Sequence, residues 1–175
     1  MKIVVGISGG IAAYKSASLV SFLSKTNEVK VIMTKNATKF ITPLTFQTLS
    51  KQQVLTDMFI DEEFDKVSHI YYGQEYDVMI IAPATANLIG KVANGIADDI
   101  LTSTIIASNK PIIFVPTMNT IMYENKIVQN NIEKLKNYGY HFVEPDNGML
   151  ACGIEGKGKY PKIEKIINKL NKIIK

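Results

Sequence analysis

Short apolar runs alternate with helix-periodic stretches along this chain, and that alternation constrains its fold more tightly than any other feature. Residues 2–7 (Lys-Ile-Val-Val-Gly-Ile), 28–34, 78–83 and 111–116 are short, largely β-branched and apolar on both parities. That is the pattern of strands buried on both faces. Residues 140–143 predict a fifth strand. Between them, residues 11–24, 36–50, 85–96, 98–108 and 125–138 predict helices. The stretch 36–50 breaks before Pro43, because a residue preceding proline avoids the helical region. Gly139 is placed to end the helix 125–138 at its C′ position. Ser68 is placed to cap a short helix that begins at His69. After Pro161, Ile163, Ile166, Ile167, Leu170, Ile173 and Ile174 share one face of a closing helix, residues 162–175. Strand–helix alternation of this kind implies an α/β fold with a parallel sheet and right-handed crossovers.

Composition removes several other classes. The 175 residues allow a single domain, 1–175, and 46% hydrophobic with 21% charged residues excludes wholesale disorder. No stretch approaches the ~20 consecutive apolar residues of a membrane span. The N-terminal run is short and broken by glycines, unlike a secretory signal. One cysteine cannot form an internal disulfide, and the expected location is the reducing cytoplasm. The net charge of +4 is made entirely from lysine, with no arginine. Arginine is the preferred bidentate partner of phosphates and guanine edges, and no basic stripe with interleaved aromatics occurs, so nucleic-acid binding is not expected. Residues 57–65 are acidic and read as irregular surface. Residues 144–160 hold four glycines and no period, and read as a loop long enough to be a functional flap.

In a parallel sheet, ligands sit at the carboxyl ends of the strands. The unusual residues of this sequence gather there. Ser8-Gly9-Gly10-Ile11 is a glycine turn opening a helix, where backbone N–H groups and the helix dipole suit a phosphate. It is not the G-x-G-x-x-G fingerprint, and strand two ends in Met33-Thr34 without the acidic residue a dinucleotide ribose requires. A mononucleotide fits better than NAD. Pro83-Ala84-Thr85-Ala86-Asn87 offers small residues that let a planar ring approach, with Thr85 and Asn87 for its polar rim; Thr85 could equally cap the next helix. Pro116-Thr117-Met118-Asn119, followed by Met122 and Tyr123, offers an asparagine for a carboxylate or amide, or else a turn with two core methionines. His69 at a helix start suits a neutral base or a structural imidazole, and His141 in a strand reads as structural. Cys152 lies in the glycine-rich stretch, with nucleophile, proton donor and incidental thiol all open; a lone cysteine without metal spacing excludes a zinc site.

Taken together, Gly-Gly-Ile-Ala-Ala-Tyr-Lys (9–15), Val-Ser-His-Ile (67–70), Ala-Pro-Ala-Thr-Ala-Asn (82–87), Asn-Gly-Ile-Ala-Asp-Asp (94–99), Pro-Thr-Met-Asn (116–119) with Met122, and Leu-Ala-Cys-Gly (150–153) resemble the homo-oligomeric flavin-containing cysteine decarboxylases. Within that family the likeness is to the phosphopantothenoylcysteine decarboxylases, and it runs over nearly the whole chain. The resemblance implies a Rossmann-like, flavodoxin-like three-layer sandwich that binds FMN. It also implies a homotrimer, or a multiple of trimers, with cofactor and substrate sites at subunit contacts. The implied cofactor residues are Ser8, Gly9, Gly10, Ile11, Thr34, Ala84, Thr85, Asn87, Asp98 and Met118. Asn119, Met122, Ala151 and Cys152 would hold the substrate.

The chemistry implied by the resemblance belongs to coenzyme A biosynthesis, in a stand-alone form without the downstream ligase domain. The substrate thiol is oxidised to a thioaldehyde, CO₂ leaves with the C=S group as electron sink, and the resulting enethiol is reduced to 4′-phosphopantetheine. His69 would act as base or positioner, Asn119 would bind the carboxylate, and Cys152 would supply a proton in the last reduction. Lys157 or Lys159 is available to the substrate phosphate. Two alternatives carry the same implied fold: a peptidyl-cysteine decarboxylase of lantibiotic type, and a non-catalytic FMN-binding regulatory protein. Cys152 speaks against the first, and the absence of a long acidic extension speaks against the second. The sequence departs from the family at Tyr123, where tryptophan is common, and at Ser8, where threonine is frequent.

Overall fold

The structure, a computed structural model, describes residues 1–59 and 67–174. Five parallel strands form one sheet: β1 (Lys2–Ile7), β2 (Glu28–Met33), β3 (Val78–Ala84), β4 (Ile112–Pro116) and β5 (His141–Phe142), in the order β2-β1-β3-β4-β5. This is the doubly wound, flavodoxin-like order, which reverses direction between β1 and β3. Apolarity on both parities is explained by the two faces. Ile3, Val5, Ile7, Val31 and Ile80 enter one core with the helices α1 (Lys15–Leu23), α2 (Pro43–Ser50) and α8 (Ile163–Ile173). Val4, Ile32, Met79, Ile81 and Phe114 enter the other, against α4 (Ala86–Ala93), α5 (Ile100–Ile106) and α7 (Lys126–Asn137). The result is the three-layer sandwich expected from the sequence.

Several local predictions are refined. The helix expected at 11–24 begins as a 3₁₀ turn, Ile11–Tyr14, and a second 3₁₀ turn, Ala37–Lys39, precedes α2. Helix α3 runs Ser68–Gln74, so Ser68 is its first residue rather than its cap; Val67 holds the N-cap position without a side-chain hydrogen bond. A short helix unpredicted from the sequence, α6 (Thr120–Glu124), follows β4. The stretch 144–160 is not a structureless loop. It contains an antiparallel hairpin, β6 (Asp146–Met149) and β7 (Glu155–Lys159), with Cys152 in its turn. Residues 60–66, most of the acidic stretch 57–65, lie outside the described residues, as does Lys175 at the end of the closing helix.

Edges and interlayer contacts are managed explicitly. The outer edge of β2 is covered by the segment around Leu55, whose N–H donates to Val31 and whose carbonyl accepts from Met33. Helix α5 starts with a reciprocal Asp99–Thr102 capping box and lies directly on β1. A Cβ at Gly6 would come within 2.5 Å of Leu101 Cδ1 and 2.7 Å of Ile81 Cδ1, both fully buried. We expect Gly6→Ala to overpack this contact and destabilise the fold by ~1–3 kcal/mol, read as a lower urea midpoint at unchanged slope.

Candidate active site

Where β1 and β3 separate, their ends are stitched together by one hydroxyl. Ser8 donates to the Pro83 carbonyl at 2.7 Å and accepts from the Thr85 N–H at 3.0 Å, itself almost fully buried. A second stitch sits one layer below: the Ser16 hydroxyl donates to the Ala82 carbonyl at 2.6 Å and lies 3.4 Å from the Tyr160 hydroxyl. The strand ends therefore stand as a fixed rim. Above it opens a cavity of about 1040 Å³, at the switch point where such folds place their ligands.

The sequence-predicted residues converge on this cavity, with two exceptions. Ser8, Gly9, Gly10, Ile11, Thr34, Thr85, Asn87, Asp98, Met118, Asn119, Met122, Ala151 and Cys152 all line it. Ala84 does not: its side chain is buried in the core, and its carbonyl instead accepts from the Thr117 N–H, joining β3 to the β4 end. His69 does not either. It stands half-buried on α3, away from the cavity of its own chain. Helix α3 is seated against α5, where a Cβ at Gly73 would meet the Thr104 carbonyl at 3.1 Å.

The rim is built from helix starts. Thr85 accepts from the Leu88 N–H and so caps α4, the second of its two sequence readings, and it also lines the cavity. Thr34 accepts from the Ala37 N–H at 3.2 Å. Gly10 has no protein neighbour closer than 3.5 Å to an added Cβ, yet it faces the cavity. Gly9 is different: an added Cβ would come within 2.6 Å of Asn36 Cβ, so close packing accounts for that glycine, while Gly10 borders the open cavity. Asp98 is paired with Lys91 Nζ at 2.7 Å, and this ion pair holds its carboxyl below the ordinary carboxylate range. Lys15, Lys35 and Lys159 also line the cavity, so cationic groups stand at the edge of partly apolar walls.

The reactive edge is formed by α6 and the hairpin. Asn119 caps α6, its Oδ1 accepting from the Ile121 and Met122 N–H groups. That leaves its amide N–H₂ to point outward, where it donates to Cys152 Sγ at 3.4 Å. This bond and one from the Ile154 backbone N–H favour the thiolate, so the exposed Cys152 thiol titrates below its ordinary value. The hairpin is held against this edge by glycines. Met118 N–H donates to the Gly158 carbonyl at 3.1 Å, and Gly158 has φ +138°, with an added Cβ only 2.2 Å from the Met118 carbonyl oxygen. Lys157 turns away to pair with Glu144 at 2.8 Å, while Lys159 reaches the cavity. Sequence reasoning missed Ser16, Lys91 and Tyr160; the helical pattern around the first and the lone aromatic before Pro161 gave no sign that they meet at one rim.

A family profile described as Flavoprotein matches residues 1–175. The chain belongs to the flavoprotein family. Relatives of this flavoprotein domain include the coenzyme A biosynthesis bifunctional protein CoaBC of Borreliella burgdorferi, 50% identical over 94% of the chain. The chain spans 42% of that relative's length. A probable phosphopantothenoylcysteine decarboxylase of Streptococcus mutans is 42% identical, covering 97% of this chain and 96% of the relative. Among solved structures, a cysteine-to-serine mutant of PPC decarboxylase complexed with pantothenoylaminoethenethiol superposes with TM-score 0.86 at 28% identity, covering 97% of this chain and 96% of that one. The FMN-dependent cysteine decarboxylase SpaF superposes with TM-score 0.82 at 28% identity, covering 97% of each chain. For this flavoprotein domain we expect Asn119→Ala to raise the Cys152 thiol pKa towards the ordinary value. The alkylation rate at neutral pH should fall accordingly, measured as a pH–rate profile on the single cysteine.

Proposed function

We propose that this flavoprotein is a phosphopantothenoylcysteine decarboxylase that uses FMN, yielding 4′-phosphopantetheine for coenzyme A synthesis. The observation that carries the reading is the pairing of the Asn119 amide with the Cys152 thiol on the lip of the switch-point cavity. The near full-length similarity to the Streptococcus mutans relative supports it. So does the FMN dependence of the structural neighbour SpaF.

The residues present fit the cofactor. The Gly10 cradle, the Thr34 and Thr85 hydroxyls and the small residues after β3 would hold FMN, with Gly9, Ile11, Asn87, Asp98 and Met118 around it. Ser8 contributes by fixing the rim, since its hydroxyl is already engaged on both sides. When bound, FMN supplies the two-electron oxidation of the substrate thiol and the matching reduction at the end. Asn119 orients the carboxylate that leaves as CO₂: its Oδ1 is fixed by α6, so its amide can only donate outward. Cys152 delivers a proton to substrate carbon. Its lowered pKa makes the transfer easier, and the thiolate left behind is held by the Asn119 amide and the Ile154 N–H. Lys159 is placed for the substrate phosphate, and Lys157 is not, being engaged by Glu144.

His69 completes the site from another copy of the chain. It lies outside the cavity of its own chain, flanked by exposed Val67 and Ile70, while exposed Ile11 and Met122 sit at the cavity mouth. Covering these apolar side chains is a reason for copies to associate, and a homotrimer or a multiple of trimers is the assembly proposed, in the cytoplasm.

The test is a visible absorption spectrum together with mass-detected turnover. A flavin band and loss of CO₂ from phosphopantothenoylcysteine support the reading; a flavin-bearing protein that turns over only a C-terminal cysteine peptide replaces it. In a single turnover, Cys152→Ser is expected to release CO₂ and leave the enethiol with reduced flavin in place of the reduced product. His69→Asn is expected to lose decarboxylation, and subunit exchange with Cys152→Ser should restore part of the complete turnover. Absence of any such complementation would place His69 in its own chain's site.

A further inference from the structure

Three side chains that the chemistry above leaves unused tie the hairpin to α6. Glu144 Oε2 accepts from the Tyr123 hydroxyl at 3.0 Å and pairs with Lys157 Nζ at 2.8 Å. Lys157 Nζ also stands 5.3 Å from the Tyr123 ring centroid. Tyr123 is buried in α6, the helix whose cap is Asn119, and its carbonyl accepts from Gln129 Nε2. Glu144 lies just before β6, and Lys157 lies within β7. The cluster thus links the helix that carries Asn119 to both strands that lead to Cys152. With side chains 42% and 50% exposed, the Lys157–Glu144 pair adds little to global stability. Its effect is on placement.

We propose that Tyr123, Glu144 and Lys157 act together as a positioning device that sets the Cys152 thiol against the Asn119 amide. The charge states suit the task. Lys157 and Tyr123 hold Glu144 below the usual carboxylate range despite partial burial. Burial and the Glu144 carboxylate push Tyr123 up to about 12, so it remains a donor throughout the working range. Among the described residues the hairpin is also attached by the Met118–Gly158 backbone bond, by the Asn119–Cys152 bond at its turn, by the packing of Gly156 on Thr120, and by Asp146, which accepts from Lys162 N–H and Lys165 Nζ. Apart from the bond at the turn, these engage the backbone of β7 and the start of β6, and the Tyr123–Glu144–Lys157 cluster adds a side-chain link from α6 itself.

The role in the reaction rests on the proposed function; the placement of the thiol does not, and the two are tested separately. Tyr123→Phe removes only the hydroxyl and Glu144→Gln removes only the charge, so both should fold. Cys152 is the single cysteine, so its alkylation by iodoacetamide across pH reads its environment directly in the flavin-bearing protein. Lys15, Lys35, Lys91, Asp98, Asp99 and Lys159, the other charged groups on the cavity, are unchanged by either substitution. In both variants we expect the alkylation profile to move to higher pH at unchanged melting temperature, and the double variant to move no further than the larger single effect. Lys157→Arg should keep the original profile. In a single turnover with phosphopantothenoylcysteine, CO₂ release should persist while the ratio of enethiol (with reduced flavin) to 4′-phosphopantetheine rises several-fold. Unmoved alkylation profiles overturn the proposal, as does an equal fall in both products. If the unsubstituted protein does not decarboxylate this substrate, the proposed function fails while the alkylation profiles still decide the placement.

Discussion

The Ser8 hydroxyl is the interaction on which the rest of the site depends. A parallel sheet that reverses strand order at its centre leaves two strand ends diverging, with a carbonyl and an N–H facing a gap. One buried hydroxyl satisfies both, donating to Pro83 and accepting from Thr85. Because Thr85 also caps α4, the same contact sets where that helix begins. Removing it would leave the Thr85 N–H without its partner, while the Pro83 carbonyl would keep only the bond from the Ser8 N–H at 3.3 Å. Serine is the smallest side chain able to make both bonds while leaving the neighbouring glycines open to a ligand.

The sheet was legible because burial on both faces leaves a mark no other element makes: Val4-Val5 or Ile80-Ile81 can be apolar in succession only if each parity meets its own core. The strand ends were legible for a related reason, since glycine, threonine and asparagine are unusual immediately after such runs. The hairpin was not legible. Its strands, Asp146–Met149 and Glu155–Lys159, bury too little for hydrophobic alternation, and its inner positions must be glycine because α6 lies against them. Helix α6 is five residues long, too short to display a period. His69 stood out through its motif, but nothing in the sequence signalled that α3 would carry it away from the cavity of its own chain.

Charge follows the same division of labour. The excess of lysine over acid is spread over a surface without arginine, but at the cavity it becomes specific. Lys91 is spent on Asp98, and Lys157 on Glu144. Lys15, Lys35 and Lys159 have no ion-pair partner among the described residues and face the ligand space. A flexible ammonium can adjust to an anion in several positions, whereas a planar guanidinium favours one fixed geometry.

The glycines of β7 carry a consequence for how such a domain can diverge. An added Cβ at Gly156 would meet Thr120 Oγ1 at 2.4 Å, and one at Gly158 would meet the Met118 carbonyl oxygen at 2.2 Å. Neither position can accept a side chain without lifting the hairpin from the helix that presents Asn119. Any drift in substrate preference is therefore channelled to the outward residues and to the turn, Leu150 to Ile154, which is exposed over most of its length. New specificities can be written at the tip of the hairpin while its inner face stays blank.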